Sequence, residues 1–99
     1  MNIKINSIRF KADAKLESFI SERITKLQTF YEDLIGGEVT LRVDAKEKPE
    51  NKIAEIRISI KGNDLYAKKQ SGSFEESTDD AIEALRRQLK KHKEKERGR

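Results

Sequence analysis

Arg86, Lys90, Lys93 and Arg97 recur at spacings of four, three and four, so on a helix they share one flank. Arg87, Lys91 and Lys95 recur at four and four and share another side of the same exposed surface. Within residues 86–97 these seven cations are opposed only by Glu94 and Glu96. Like charges one turn apart cost a helix about 0.2–0.5 kcal/mol per pair. A surface that accepts this repulsion is matched to a polyanion, most commonly the phosphates of a nucleic acid. Arg23 falls inside an earlier apolar stripe and Lys26 just beyond its edge, adding two cations. The planar fork of an arginine suits phosphate oxygens well.

A helix can also carry such a pattern for stability alone. Glu75, Glu76, Asp79, Asp80 and Glu83 precede the cations, and acid-first, base-last ordering complements the helix dipole at about 0.3–1 kcal/mol per well-placed charge. That explains the sign of the gradient but not its density. The whole-chain charge of +4 is polarised in the same way. Residues 84–99 hold eight Lys/Arg against two Glu, a net of +6, whereas residues 1–83 hold fourteen against sixteen acids, a net of −2. A basic face merely solvated, with no partner, is the competing reading.

Other chemistries find little support. There is no cysteine, so disulfides and thiolate metal sites are excluded, and one histidine alone builds no metal centre. No Cys–His pair, glycine-rich phosphate loop or histidine–carboxylate spacing stands out, which argues against an enzyme, and no cofactor or metal is expected. No apolar run approaches the ~18–20 residues of a membrane span, and the N-terminal residues lack a signal-peptide pattern, so the expectation is a cytoplasmic protein.

The elements that must position these cations follow from periodicity. Residues 2–7 read as a strand whose phase slips at Ser7, because Ile8 and Phe10 fall on the opposite parity. Asp13 is an N-cap candidate. Leu16, Phe19, Ile20, Ile24, Leu27, Phe30, Tyr31 and Leu34 keep three- and four-residue spacings, so a helix is expected over residues 14–34, ended by Gly36-Gly37. Residues 38–46 alternate, with Val39, Leu41, Val43 and Ala45 facing one way. A polar loop, 47–52, surrounds the only proline, and its acids Glu47 and Glu50 read as solubilising. Residues 53–61 alternate again with Ala54, Ile56, Ile58 and Ile60 inward; Gly62-Asn63 predicts a tight hairpin, and 65–70 a weaker fourth strand. A second helix is expected from about residue 74 to 95, with Thr78, Ile82, Leu85, Leu89 and His92 as its inner stripe.

The expected fold is α+β in the order β-α-β-β-β-α, a small four-stranded antiparallel sheet with two helices on one face. Residues 1–95 form a single domain and 96–99 a frayed C-terminus. In this frame Arg23 either snorkels, its stem packed on the phenylalanines, or edges with Lys26 a groove of one charge sign opposite a basic flank of the second helix. His92 either packs or meets a base or phosphate. Tyr31 and Tyr66 read as core or edge residues, and the strands carry no RNP-type aromatic pair.

The stretch LRRQLKKHKEK, residues 85–95, resembles the C-terminal helix of the ribosome hibernation promoting factors and the related ribosome-associated inhibitor, also called sigma-54 modulation proteins. SERITKL, residues 21–27, is similar to the first-helix segment of the same family, and the likeness covers nearly the whole chain. The resemblance implies a double-stranded-RNA-binding-like fold. It also implies binding to the small ribosomal subunit and its rRNA, in the channel between head and body, where tRNA and mRNA are blocked and translation is silenced in stationary phase. By motif match Arg23, Lys26, Arg86, Arg87, Lys90, Lys91 and Lys93 would contact rRNA, and Lys95, on the same exposed surface, is expected to bind RNA with them. Glu75, Glu76, Ser77 and Thr78 depart from the family's usual aromatic and small residues before the helix-two aspartate, Asp79. The chain ends at Arg99, which by resemblance implies the short form, without linker or dimerisation domain and monomeric off the ribosome. No membrane and no small-molecule substrate are implied. A general structured-RNA-binding module and a sigma-factor-interacting regulator are the alternative functions.

Overall fold

The computed structural model describes residues 2–46 and 49–97, with the backbone alone for 96 and 97. The elements are β1 (Asn2–Ser7), α1 (Ala14–Phe30), β2 (Leu34–Val43), β3 (Lys52–Ile60), β4 (Asn63–Ser71) and α2 (Phe74–Arg97). They form one sheet in the order β1-β2-β3-β4. Both β2–β3 and β3–β4 are antiparallel, but β1 runs parallel to β2, so the sheet is mixed rather than antiparallel as expected. The reason lies in the connection: α1 carries the chain back to the end where β1 began, and a strand entered from that end must run parallel.

Alternation decides which face is covered. On β3, Ala54, Ile56, Ile58 and Ile60 are buried, and on β2 Val39 and Leu41 join them. Val43 and Ala45, expected on the same face, are exposed: Val43 ends β2, and Ala45 lies in the bend beyond it. Ile20, Ile24 and Leu27 of α1 and Ala81, Leu85 and Leu89 of α2 close over the inner face. Each such side chain withdrawn from water stabilises the fold by about 1.5–3 kcal/mol for a Leu or Ile. The opposite face is mostly polar, Ile53 and Tyr66 apart, which is why one layer of helices suffices.

Two boundaries differ from expectation. Asp13 caps α1 as predicted, accepting from the Leu16 backbone N–H at 2.8 Å. But α1 ends at Phe30, where Tyr31 turns extended, and Leu34 already opens β2. Tyr31 and Leu34 are buried and keep helical spacing by coincidence, their burial coming from the turn and strand that follow. Gly36 and Gly37 are therefore strand residues, not a cap. Gly36 sits opposite Asn2 in β1, and a Cβ there would stand 3.1 Å from the Asn2 carbonyl oxygen.

The other departures are small. The phase slip after Ser7 is a bend, with Arg9 at φ +65°, that lays Phe10 flat on Phe74, ring centres 4.8 Å apart. The β3–β4 hairpin turns at Lys61-Gly62, one residue earlier than expected, with Gly62 at φ +79°. β4 extends to both sides of the expected 65–70. α2 continues through Arg97, past the expected helix end at about 95, while Gly98 and Arg99 lie outside the described residues, as does Glu47. No described helix is long and apolar enough to cross a membrane.

Candidate nucleic-acid interface

The inner stripe of α2 fixes the direction in which its cations point. Thr78, Ile82, Leu85 and Leu89 are buried as expected, and His92 is half-buried, its ring edge-on to Tyr31 at 5.9 Å. Ser77 and Ala81 are fully buried as well. These small residues let α2 approach the sheet closely enough for the Ser77 hydroxyl to donate to the Lys52 carbonyl at 2.6 Å. With that face committed, Arg86, Arg87, Lys90, Lys91 and Lys95 are left exposed.

The cations expected to act together fall into two groups. Lys26, Arg87, Lys90, Lys91 and Lys95 are exposed and make no ion pair with any described residue. Arg86 is paired only loosely, 3.9 Å from Glu83 one turn earlier, with both side chains more than half exposed. Arg23 and Lys93 are engaged internally. Arg23 Nε donates to Asp79 Oδ1 at 2.8 Å, and its guanidinium lies 4.3 Å over the Phe19 ring, so the head group that the snorkelling reading sent to water is instead held by the protein. Lys93 donates to the Phe30 carbonyl at 2.8 Å, so it neutralises one of the acceptors left open at the end of α1.

A hollow of about 590 Å³ runs between the helices, and Arg23, Lys26 and Arg86 line it together. The expectation of a single charge sign there fails, because Asp79 and Glu83 line the same hollow. The first turns of α2, acidic by the dipole argument, face α1 rather than solvent alone. A second hollow of about 510 Å³ is lined by Phe30, by the cations Arg86, Arg87, Lys90 and Lys93, and by the acids Glu83 and Glu94. The exposed cations without an ion pair therefore lie mainly on the C-terminal half of α2 rather than in the Arg23–Asp79 hollow.

Phe30 escaped the sequence reading as anything but core. It is half-buried, with the Arg86 guanidinium 5.3 Å and the Lys93 ammonium 4.9 Å from its ring centre. Its position as the last residue of α1, beside the cation-bearing flank of the other helix, is a tertiary fact. Tyr66, read as core or edge, is exposed on the open face of the sheet. Partial burial raises its hydroxyl pKa above the usual 10, and the hydrogen bond it donates to Glu55 pushes the same way. Glu55 also holds Arg42 at 3.1 Å, so charges on this face are paired locally in a way those of the α2 surface are not.

No group of described residues could hold a metal ion. The sequence model of the family described as Sigma 54 modulation protein / S30EA ribosomal protein matches residues 3–97. A ribosome hibernation promoting factor of Klebsiella oxytoca is 23% identical over 95 residues, 96% of either chain. One of Pseudomonas putida is 25% identical over 96 residues, spanning 97% of this chain and 90% of that one. A ribosomal subunit interface protein from Coxiella burnetii superposes with a TM-score of 0.83 at 16% identity, over 94% of this chain and 98% of its own. The N-terminal domain of Thermus thermophilus Protein Y superposes at 0.80 with 18% identity, over 93% and 99%. At such identities these two structures bear on the fold.

Proposed function

The chain belongs to the Sigma 54 modulation protein / S30EA ribosomal protein family, and from that membership we propose that it silences translation by ribosome hibernation. On this reading it binds rRNA of the small subunit in the tRNA/mRNA channel and blocks both ligands sterically. The names of its relatives support the partner, and the surface of α2 supports the mode. The observation that carries the proposal is the exposed set Arg87, Lys90, Lys91 and Lys95, ordered on one helix and unpaired with any described residue. Unpaired cations on a rigid surface repel one another until phosphates replace counterions, and the released counterions drive association. Such contacts fix position without reading sequence, so the shape of the rRNA channel supplies the specificity. The activity is binding rather than catalysis.

The test is co-sedimentation with small ribosomal subunits, using wild type and the double variant Lys90→Glu/Lys91→Glu. Both positions are exposed, so the variant keeps its helical circular dichroism while it loses subunit binding. Added tRNA displaces the wild type. A variant that pellets as well as wild type, or binding indifferent to tRNA, defeats the reading.

A further inference from the structure

Phosphate recognition explains the exposed lysines, but it gives no role to the aromatic ring among them. Phe30 closes α1 and is backed by the core, while its ring borders both hollows on the helical side. Two cations from the same helix, Arg86 and Lys93, approach this ring rather than pointing away. Lys93 is further restrained by its hydrogen bond to the Phe30 carbonyl. Arg87 and Lys90 border the same hollow without an ion pair. A site for bare phosphate needs cations alone, and a phenyl ring offers an anion nothing. A ring flanked by a guanidinium, in a hollow that four cations line against the two acids Glu83 and Glu94, suits a ligand with one flat face and one charged group. A nucleotide within an RNA strand has both. The hollow, about 510 Å³, lies within the range of small-ligand sites.

We propose that Phe30 and Arg86 form a stacking subsite for one unpaired nucleobase of the bound RNA, with Arg87 and Lys90 holding the phosphates beside it. The subsite rests on the RNA-binding reading above and sharpens it: the protein does more than lie on a phosphate surface, because it captures a base that has left its helix. Lys93 positions the platform by tying α2 to the end of α1. A base at this point adds the affinity of one aromatic stack and makes binding favour a bulged or looped strand over a continuous duplex.

The probe is a short RNA hairpin carrying a single bulged 2-aminopurine, compared with the same hairpin carrying an abasic residue at the bulge. Wild-type protein binds the base-bearing hairpin about 5- to 150-fold more tightly, the span of one aromatic–base stack, and changes the 2-aminopurine fluorescence. Phe30→Leu removes that preference and leaves the salt dependence of binding unchanged; Phe30→Tyr keeps the preference. Should Phe30→Leu fail to fold, the abasic comparison on wild type still decides. Equal affinity of wild type for both hairpins, with steep salt dependence, overturns the base subsite while the phosphate reading stands. Weak, salt-indifferent binding of both hairpins overturns the RNA reading itself, and the subsite with it.

Discussion

Arg23 shows how one residue can look like a ligand contact and be held by its own protein. Its side chain is about a third exposed and Asp79 about half, at 2.8 Å. A pair so placed stabilises by no more than about 1 kcal/mol. On the proposed reading it withholds Arg23 from phosphate and sets a carboxylate in the same groove. Asp79→Asn therefore tightens binding to small subunits by roughly two- to fivefold, in line with that ceiling, and shifts the melting temperature only slightly. Weaker binding by this variant would mean instead that Asp79 aims Arg23 at the RNA. Lys93 is the contrasting case. Its hydrogen bond to the Phe30 carbonyl makes it part of the seam between the helices, so its loss is expected to show in stability as well as in binding.

At the level of elements, the cation row depends on α2 lying in one rotational setting. Leu85 and Leu89, both fully buried, set that rotation, and Ser77 and Ala81 permit the close approach. The β1–β2 pairing is just as particular. Gly36 meets the backbone of Asn2 at a separation where a Cβ would force the strands apart. Gly36→Val is expected to destabilise the protein by about 1 kcal/mol, near the low end for overpacking because the contact lies at the start of β1. For a domain of this size that lowers the melting temperature by roughly 4–8 °C. An unchanged melting curve would show that β1 yields at no cost. No atom of α2 lies within 4 Å of that Cβ position, so subunit binding at low temperature should survive the change.

The whole molecule is elongated, with principal extents of 49 × 24 × 18 Å, and it is chemically two-sided. The open sheet face ties its charges into local contacts such as Arg42–Glu55 and Tyr66–Glu55, whereas the exposed flank of α2 leaves its cations unspent. Excess charge concentrated on one long edge orients the protein before contact and accelerates association. If about six phosphates are neutralised, the logarithm of the binding constant falls with the logarithm of salt concentration at a slope of about −4 to −5. Titration of subunit binding across salt measures this slope directly, and a value near zero contradicts the electrostatic account. Reversing Lys90 and Lys91 should flatten it together with the loss of affinity.

Much of this was legible in the residues themselves. Alternation over Val39 and Leu41 and over Ala54–Ile60 names the inner face of two strands, because a pleated strand has a period of two and only one side is dry. The stripe Thr78, Ile82, Leu85, Leu89 orients α2, and the remaining angles of the wheel then place Arg87, Lys90 and Lys91 in water. Periodicity is local, and what failed was not. Tyr31 and Leu34 kept the spacing of a helix that had already ended, since burial by a neighbouring element leaves the same trace as burial on a helix face. The pairing of Arg23 with Asp79 spans 56 residues of chain, and so does nothing to the pattern of either helix. The presence of Phe30 beneath Arg86 and Lys93 is of the same kind. The amino-acid order settled which surfaces face water and where charge accumulates; only the packing of α1 against α2 decided which of those charges remain available to a partner.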